Sequence, residues 1–190
     1  VTEPDSELPT GTGLRQAIFA PFSEYLDRRG WGGLLLVLGF MFFYKIGDNV
    51  ATALATPFYL DMGFSKTQIG LVAKHAALWP AIFGGLVGGL IMIKIGINRA
   101  LWLFGVVQVV SILGFAILAN NGPILWMLAA VISFEYLGVG MGTAAFTAFI
   151  ARETSKTFAA TQFALFTALA ALPRTFANAS TGMIVEQVGW

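Results

Sequence analysis

The sequence predicts an all-α polytopic membrane helix bundle, and three observations carry that expectation. Of the 190 residues, 57% are hydrophobic and only 11% charged, against about 25% charged in soluble domains. The mean hydropathy is +0.77. Long apolar segments are separated by short polar turns, and each exceeds the roughly 18 residues that mark a spanning helix. A net charge of +1 gives no electrostatic case for nucleic-acid binding. The chain has no cysteine, so disulfides and thiolate metal sites are excluded; no metal and no cofactor is expected.

Residues 1–30 read as a linker. VTEPDSELPTGTG is acidic and carries Pro and Gly, a flexible lead-in. Leu14, Ile18, Phe22, Tyr25 and Leu26 then recur at helical spacing, with Arg15, Glu24, Asp27, Arg28 and Arg29 on other faces. That pattern suits an amphipathic helix in the membrane interface, interrupted at Pro21; a short soluble linker helix is the alternative.

The first apolar segment covers 31–60. The second covers 67–93 after the turn DMGFSK, and the third 100–119 after KIGINR. The fourth covers 124–151 after NNGP, and the fifth 158–188 after RETSKT. Short turns make successive helices antiparallel neighbours. One side then holds Arg15, Arg28, Arg29, Lys94, Arg99, Arg152 and Lys156, and the other holds Lys66 alone. This bias puts the N-terminal segment in the cytoplasm.

Three basic residues remain inside spans: Lys45, Lys74 and Arg174. Lys45 lies about 20 Å along its helix from Trp31, with Asp48 one turn on and on the same face as Met41 and Thr52. Lys74 and His75 sit in the second span, Gln108 in the third and Glu135 halfway along the fourth. Thr167, Ala171, Arg174, Asn178 and Thr181 form one stripe in the fifth. Facing lipid, the five charged groups and the histidine would cost on the order of 15 kcal/mol. They are therefore expected to converge on a shared wet interior. Internal ion pairs that merely fix helix register are the plain alternative, and buried pairs stabilise poorly. Lys45, Lys74 and Arg174 against Asp48 and Glu135 leave one positive charge, which favours an anionic solute. Asp48 and Glu135 are the candidates for proton carriage, since a buried carboxyl responds to desolvation and to nearby cations. A lone histidine among apolar neighbours is more often a packing residue than a relay.

Gly84, Gly85, Gly88 and Gly89 make two small-xxx-small pairs, and Gly138 with Gly142 makes another; such pairs admit close backbone approach, or sliding of one helix on another. Pro57, Pro80 and Pro173 should kink their spans, Pro173 beside Arg174.

The stretch GGLIMIKIGINRALWLFG resembles the loop signature of the major facilitator superfamily. Gly89, Lys94, Gly96 and Arg99 match it in kind, Asn98 takes one basic position, and its acidic residue is absent. More of the chain is similar to the C-terminal half of AmpG-like muropeptide permeases: YKIGDNVATALATPFYLDMGFSKTQIGLVAK, FEYLGVGMGTAAFTAF and ATQFALFTALAALPR. The resemblance covers nearly all of residues 31–190. It implies half of a major facilitator fold, with five transmembrane helices corresponding to the seventh to eleventh of that fold. Both ends would then be cut, with six spans expected upstream, at least one downstream, and the N-terminal half as the missing partner.

The activity implied is proton symport of anhydro-muropeptides from cell-wall turnover across the bacterial inner membrane. The family's Lys, Asp and Lys match Lys45, Asp48 and Lys74, and its Glu, Gln and Arg match Glu135, Gln162 and Arg174. Lys45, Lys74 and Arg174 would bind substrate carboxylates, with Asn178 and Gln108 on its amide or hydroxyl groups. A related acetyl-CoA transporter branch shares the opening motif. The rival from another class is a non-transporting membrane sensor or assembly subunit. No GxSxG or HExxH occurs, and His75 is the only histidine, so an intramembrane enzyme is disfavoured.

Overall fold

The computed structural model describes residues 14–188 and the side chains of 19–181, 183, 185 and 187. The lead-in expected at 1–13, and the side chains of Leu14, Arg15 and Ile18, lie outside them. The described residues form six helices: α1 Leu14–Asp61, α2 Lys66–Ile95, α3 Ile97–Asn121, α4 Leu125–Glu153, α5 Ala159–Leu169 and α6 Leu172–Val188. The first four are long and apolar enough to cross a membrane. This is a multi-pass membrane protein.

Local chemistry sets the ends of these helices. Ser65 caps α2: its hydroxyl accepts from the Gln68 N–H at 3.2 Å, while the Gln68 side chain accepts from the Ser65 N–H at 2.9 Å. That reciprocal box satisfies two amides that a helix start otherwise leaves unpaired. Gly96 alone separates α2 from α3, at φ 82°, a backbone angle that a side chain disfavours.

One proline expectation needs correction. The chain is helical through Pro21, and the bend falls at Gly30, with φ 70° and ψ 171°. Pro21 is fully buried, and its carbonyl accepts from Gln162 Nε2 at 2.8 Å. Docking on α5 holds this turn in place, so the flexible glycine takes the change of direction. Helix α1 also continues through Pro57, and α2 through Pro80.

At Pro173 the effect exceeds the expected kink. The fifth apolar segment is two helices, α5 and α6, parted at Ala170 and Ala171. A proline ring collides with the carbonyl four residues earlier, here that of Leu169, the last residue of α5. Among the described residues there are thus four helices long enough to span, α1 bent at Gly30, and a fifth apolar segment in two pieces.

Helix α2 packs most extensively on α4, α3 packs on α4, and α1 packs on α6. Glycines make the α2–α4 contact close. A Cβ at Gly84 would collide with the Leu137 carbonyl, and one at Gly88 would lie 2.7 Å from Met141 Cα. On α4 the reciprocal position is Gly140, whose Cβ would meet the Ala81 carbonyl, a residue outside the expected Gly138–Gly142 pair. Gly89 faces open space, and Gly85 makes only an ordinary 3.9 Å contact. The close stripe is therefore Gly84 and Gly88.

The apolar core is in two parts. One joins Leu34, Met41, Phe104, Phe146, Phe149 and Phe166, from α1, α3, α4 and α5. The other joins Tyr59, Phe64, Ile69, Leu118, Leu128 and Ile132, at the opposite ends of α1 to α4. Between them run Lys45 and Asp48, Gln108 and Ser111, and Glu135.

At the end nearest the first cluster, three basic segments meet. Arg29 Nη2 lies 3.1 Å from Glu153 Oε2, and Arg28 Nη2 donates to the Glu153 carbonyl at 2.7 Å. Arg152 Nη1 donates to Asn98 Oδ1 at 2.8 Å. The segment before Gly30, the α2–α3 turn and the α4–α5 turn thus share one end of the bundle.

Gly84→Ala in the full-length polypeptide should force α2 off α4 and cost about 1–3 kcal/mol, the usual range for overpacking. Gly89→Ala should be neutral. Thermal unfolding of the two variants in detergent checks this, and equal midpoints would contradict the assigned stripe.

Candidate functional site

The polar layer is anchored on α1. Lys45 and Asp48 stand one turn apart, so both side chains leave the same face of the helix. Lys45 Nζ donates to Asp48 Oδ2 at 3.2 Å and to Thr143 Oγ1 on α4 at 3.3 Å. It also sits 5.5 Å from the centre of the Phe146 ring, a cation–π approach that offsets some of the lost hydration. The two side chains are only 15% and 10% exposed.

On α4, Glu135 is 3% exposed. Its Oε2 is buried with no hydrogen-bond partner, and Glu135 enters no ion pair among the described residues. Asp48 acts on it electrostatically from α1. Tyr136, the next residue, is within the fields of Glu135, Asp48 and Arg174, and Tyr59 is within that of Glu135. Groups from α1, α4 and α6 therefore share one electrostatic neighbourhood.

Tyr44 borders this layer. Its ring stacks on Phe146 at 5.6 Å and 5°, its hydroxyl is buried without a partner, and a Cβ on Gly142 would come within 3.3 Å of it. Buried polar atoms left unpaired are rare and call for an explanation. Two lie in this layer.

The sequence-expected residues are distributed unevenly over it. Asp48, Lys45 and Glu135 converge, while Arg174 is exposed on α6 and acts electrostatically on Tyr136 beside them. Gln108 is buried, and its Nε2 donates to the Gly138 carbonyl at 3.3 Å. A Cβ on Gly142 would collide with the same amide. Gln108 thus ties α3 to α4 and, with Tyr44 and Asp48, lines a cavity of about 500 Å³ between α1 and α3.

The fifth-segment stripe splits. Pro173, Ala177 and Thr181 are buried, whereas Thr167, Ala171, Arg174 and Asn178 are exposed. Thr181 therefore belongs to a packed face and the other four to an open one. Lys74 and His75 on α2 are exposed as well, and His75 Nδ1 lies 3.1 Å from the Leu71 carbonyl of its own helix. Neither is joined to the Lys45 cluster by a contact.

Sequence reasoning passed over Tyr44, Thr143 and Tyr136. Thr143 could have been found: it lies eight residues, two turns and a little more, beyond Glu135 on the same helix. Tyr44 could not, because its role depends on which aromatic ring faces it across the bundle. Gln162, implied by resemblance alone, is buried and bridges Pro21, Glu24 and the Ser155 N–H. It fastens the α4–α5 turn to the segment before Gly30, away from the polar layer.

Comparisons with known proteins agree on one kind of molecule. The Major Facilitator Superfamily matches over residues 1–178. A protein of Haemophilus influenzae, named only as uncharacterized, is 50% identical over 188 residues, covering 95% of this chain and 44% of the relative. The anhydromuropeptide permease of Escherichia coli K12 is 37% identical over 190 residues, covering 99% of this chain and 38% of the relative. A putative transporter AmpG 4 of Rickettsia felis is 30% identical, covering 92% and 41%. The chain thus spans about two fifths of the length of these curated relatives.

Lys45→Met strands a buried carboxylate and should cost about 3–5 kcal/mol, as removing one partner of a buried pair does. The double change Lys45→Met with Asp48→Leu should recover most of it. A double-mutant cycle on unfolding of the full-length protein measures the difference; additive effects would mean that the pair is not coupled.

Proposed function

Because the chain belongs to the Major Facilitator Superfamily, a family of transporters rather than enzymes, we propose that it forms part of a permease importing anhydro-muropeptides by proton symport. The observation that carries this reading is Glu135: a carboxyl buried in mid-bundle, without a cation of its own, beside a second carboxyl that has one. Taking a charge out of water is expensive unless it is paired. Two neighbouring carboxyls, only one of them paired with an ammonium, hold one negative charge more cheaply than two. Such a site suits loading and release of a proton.

The substrate assignment is supported by the name of the Escherichia coli relative and by the surplus of basic groups. Lys45, Lys74 and Arg174 are assigned to substrate carboxylates, and Asn178 to an amide or hydroxyl. Arg174 lies in the first turn of α6, where the helix dipole presents its positive end. Broken helices whose half-ends face an anionic substrate recur in transporters. Gln108, whose amide has a second N–H beside its bond to Gly138 and which lines a cavity with Asp48, is assigned with Asn178 to an amide or hydroxyl.

In the proposed cycle a proton taken by Asp48 weakens its bond to Lys45. The ammonium, with three donors, then turns to a substrate carboxylate while Thr143 still holds it. Glu135 takes or returns the proton as the site changes the side it faces. The basic end of the bundle is assigned to the cytoplasm, following the positive-inside rule, and the membrane is the bacterial inner membrane. Alternating access needs two halves rocking about the site, so the full-length protein is the transporting unit.

Uptake into proteoliposomes of the full-length protein at several external pH values tests the scheme. Glu135→Gln should abolish proton-driven accumulation while leaving substrate exchange measurable, and Arg174→Gln should raise KM at least tenfold. If Asp48→Asn and Glu135→Gln both accumulate substrate normally, the coupling assignment fails. Substrate binding without flux would favour a sensor.

A further inference from the structure

Two side-chain oxygens among the described residues are buried without a hydrogen-bond partner, Glu135 Oε2 and Tyr44 Oη. Glu135 has a place in the proposed cycle; Tyr44 has none. A buried hydroxyl left unpaired costs stability that a phenylalanine of the same shape would not. The described residues alone already shut this oxygen off from solvent. Further helices of a longer polypeptide reach it only if α1, α3 and α4 first part.

The Tyr44 ring lies parallel to Phe146 of α4 at 5.6 Å and against Phe40 at 5.4 Å. On the α3 side, a Cβ at Gly105 would stand 3.7 Å from its Cε2. The hydroxyl ends at Gly142, where a Cβ would come within 3.3 Å of it and collide with the Gln108 amide. The bare glycine thus makes a notch that holds one polar group from α1 and one from α3. Thr143, the next residue of α4, accepts from Lys45, the next residue of α1. Tyr44 also stands four residues before Asp48, so the two side chains are neighbours on one helix face. Both line the same cavity of about 500 Å³, and Asp48 acts electrostatically on Tyr44.

We propose that Tyr44 is a positioning residue of the coupling site, its hydroxyl taking over the Asp48 carboxyl when Lys45 turns to a solute. This rests on the transport reading. Lys45 is the one ion-pair partner of Asp48 among the described residues, and at 3.2 Å it keeps that carboxylate satisfied while the hydroxyl stays idle. Once the ammonium leaves, Asp48 is a buried polar group without a partner, which is the costly condition. Stacking on Phe146 fixes the hydroxyl, so it is the carboxyl that turns back one helical turn to meet it. A phenol donates to an ionised carboxylate or accepts from a protonated one, so it serves Asp48 before and after proton loading. Two unsatisfied groups become one satisfied pair, which raises the population in which Lys45 is free to bind an anion. Apparent solute affinity scales with that population.

Tyr44→Phe in the full-length protein tests this. The variant loses no bond in the arrangement described, so in detergent it should unfold no earlier than the parent. Its Kd for a radiolabelled anhydro-muropeptide, measured by equilibrium binding, should rise about five- to tenfold, the effect of one hydrogen bond. With Asp48→Asn already in place, Lys45 is held by no ion pair, and adding Tyr44→Phe should change the Kd less than about twofold. A parental Kd for Tyr44→Phe overturns the assignment while parental flux in proteoliposomes leaves the transport reading intact. An early-unfolding Tyr44→Phe also overturns it, since the hydroxyl would then be bonded already. So does an equal rise in both backgrounds, since the hydroxyl would then act on something other than Asp48. A parent that neither binds nor carries the muropeptide overturns both readings.

Discussion

An ammonium and a carboxylate held 3.2 Å apart at the middle of a hydrocarbon-spanning helix set the terms for the rest of this bundle. Neither charge is affordable in lipid alone, and the pair is only a modest gain once desolvation is counted. What makes the arrangement stable is the surrounding construction. One apolar cluster seals it toward the basic end and another toward the opposite end. Thr143 and the Phe146 ring supply the ammonium with a second and third contact, both from α4. Because α4 is pressed against α2 through Gly84, Gly88 and Gly140, the position of Thr143 is fixed by backbone packing rather than by flexible side chains.

The features legible in the sequence were those governed by local periodicity or by the cost of charge in lipid. The Ser65 cap could be read from S-x-x-Q, and the long apolar stretches from their length. Lys45, Asp48 and Glu135 could be read as inward-facing because no other placement is tolerable. What escaped depended on partners distant in sequence. Pro21 looked like a break, yet a glutamine 141 residues away holds its carbonyl and Gly30 bends instead. Gln108 looked like a free polar group at mid-depth, and only the neighbouring Gly138 carbonyl shows where its amide goes. Of two glycine registers on α2, periodicity could not choose; the surface of α4 does.

Proline effects follow the same division. Pro57, Pro80 and Pro173 are the same chemistry in three helices, and only the last parts its helix. Nothing within a few residues of each predicts this. At Pro173 the ring is fully buried, and Ala177 and Thr181 continue its face one and two turns on. Helix α6 is thus seated by its own packing on α1, and α5 by the Gln162 bonds at the basic end. Two anchored pieces meet at a residue that cannot continue the helix, so the join opens at Ala170 and Ala171.

That seating also decides which way Arg174 points. Positions 173, 177 and 181 face the bundle, so 174 and 178 are turned about 100° from that face, into the open. Lys74 on α2 is open too. A cation on the lipid-facing side of a span costs several kcal/mol, and three polar groups exposed on two helices would multiply it. The surface that carries them must therefore be wetted or covered in the membrane. The exposed apolar residues of α3, Trp102 and Val109 among them, carry no such penalty and are at home against acyl chains. The exposed polar positions of α2 and α6 thus demand water or a polar partner, while the exposed apolar positions of α3 are satisfied by lipid. Burial cost alone therefore separates the positions of this bundle that lipid can cover from those that it cannot.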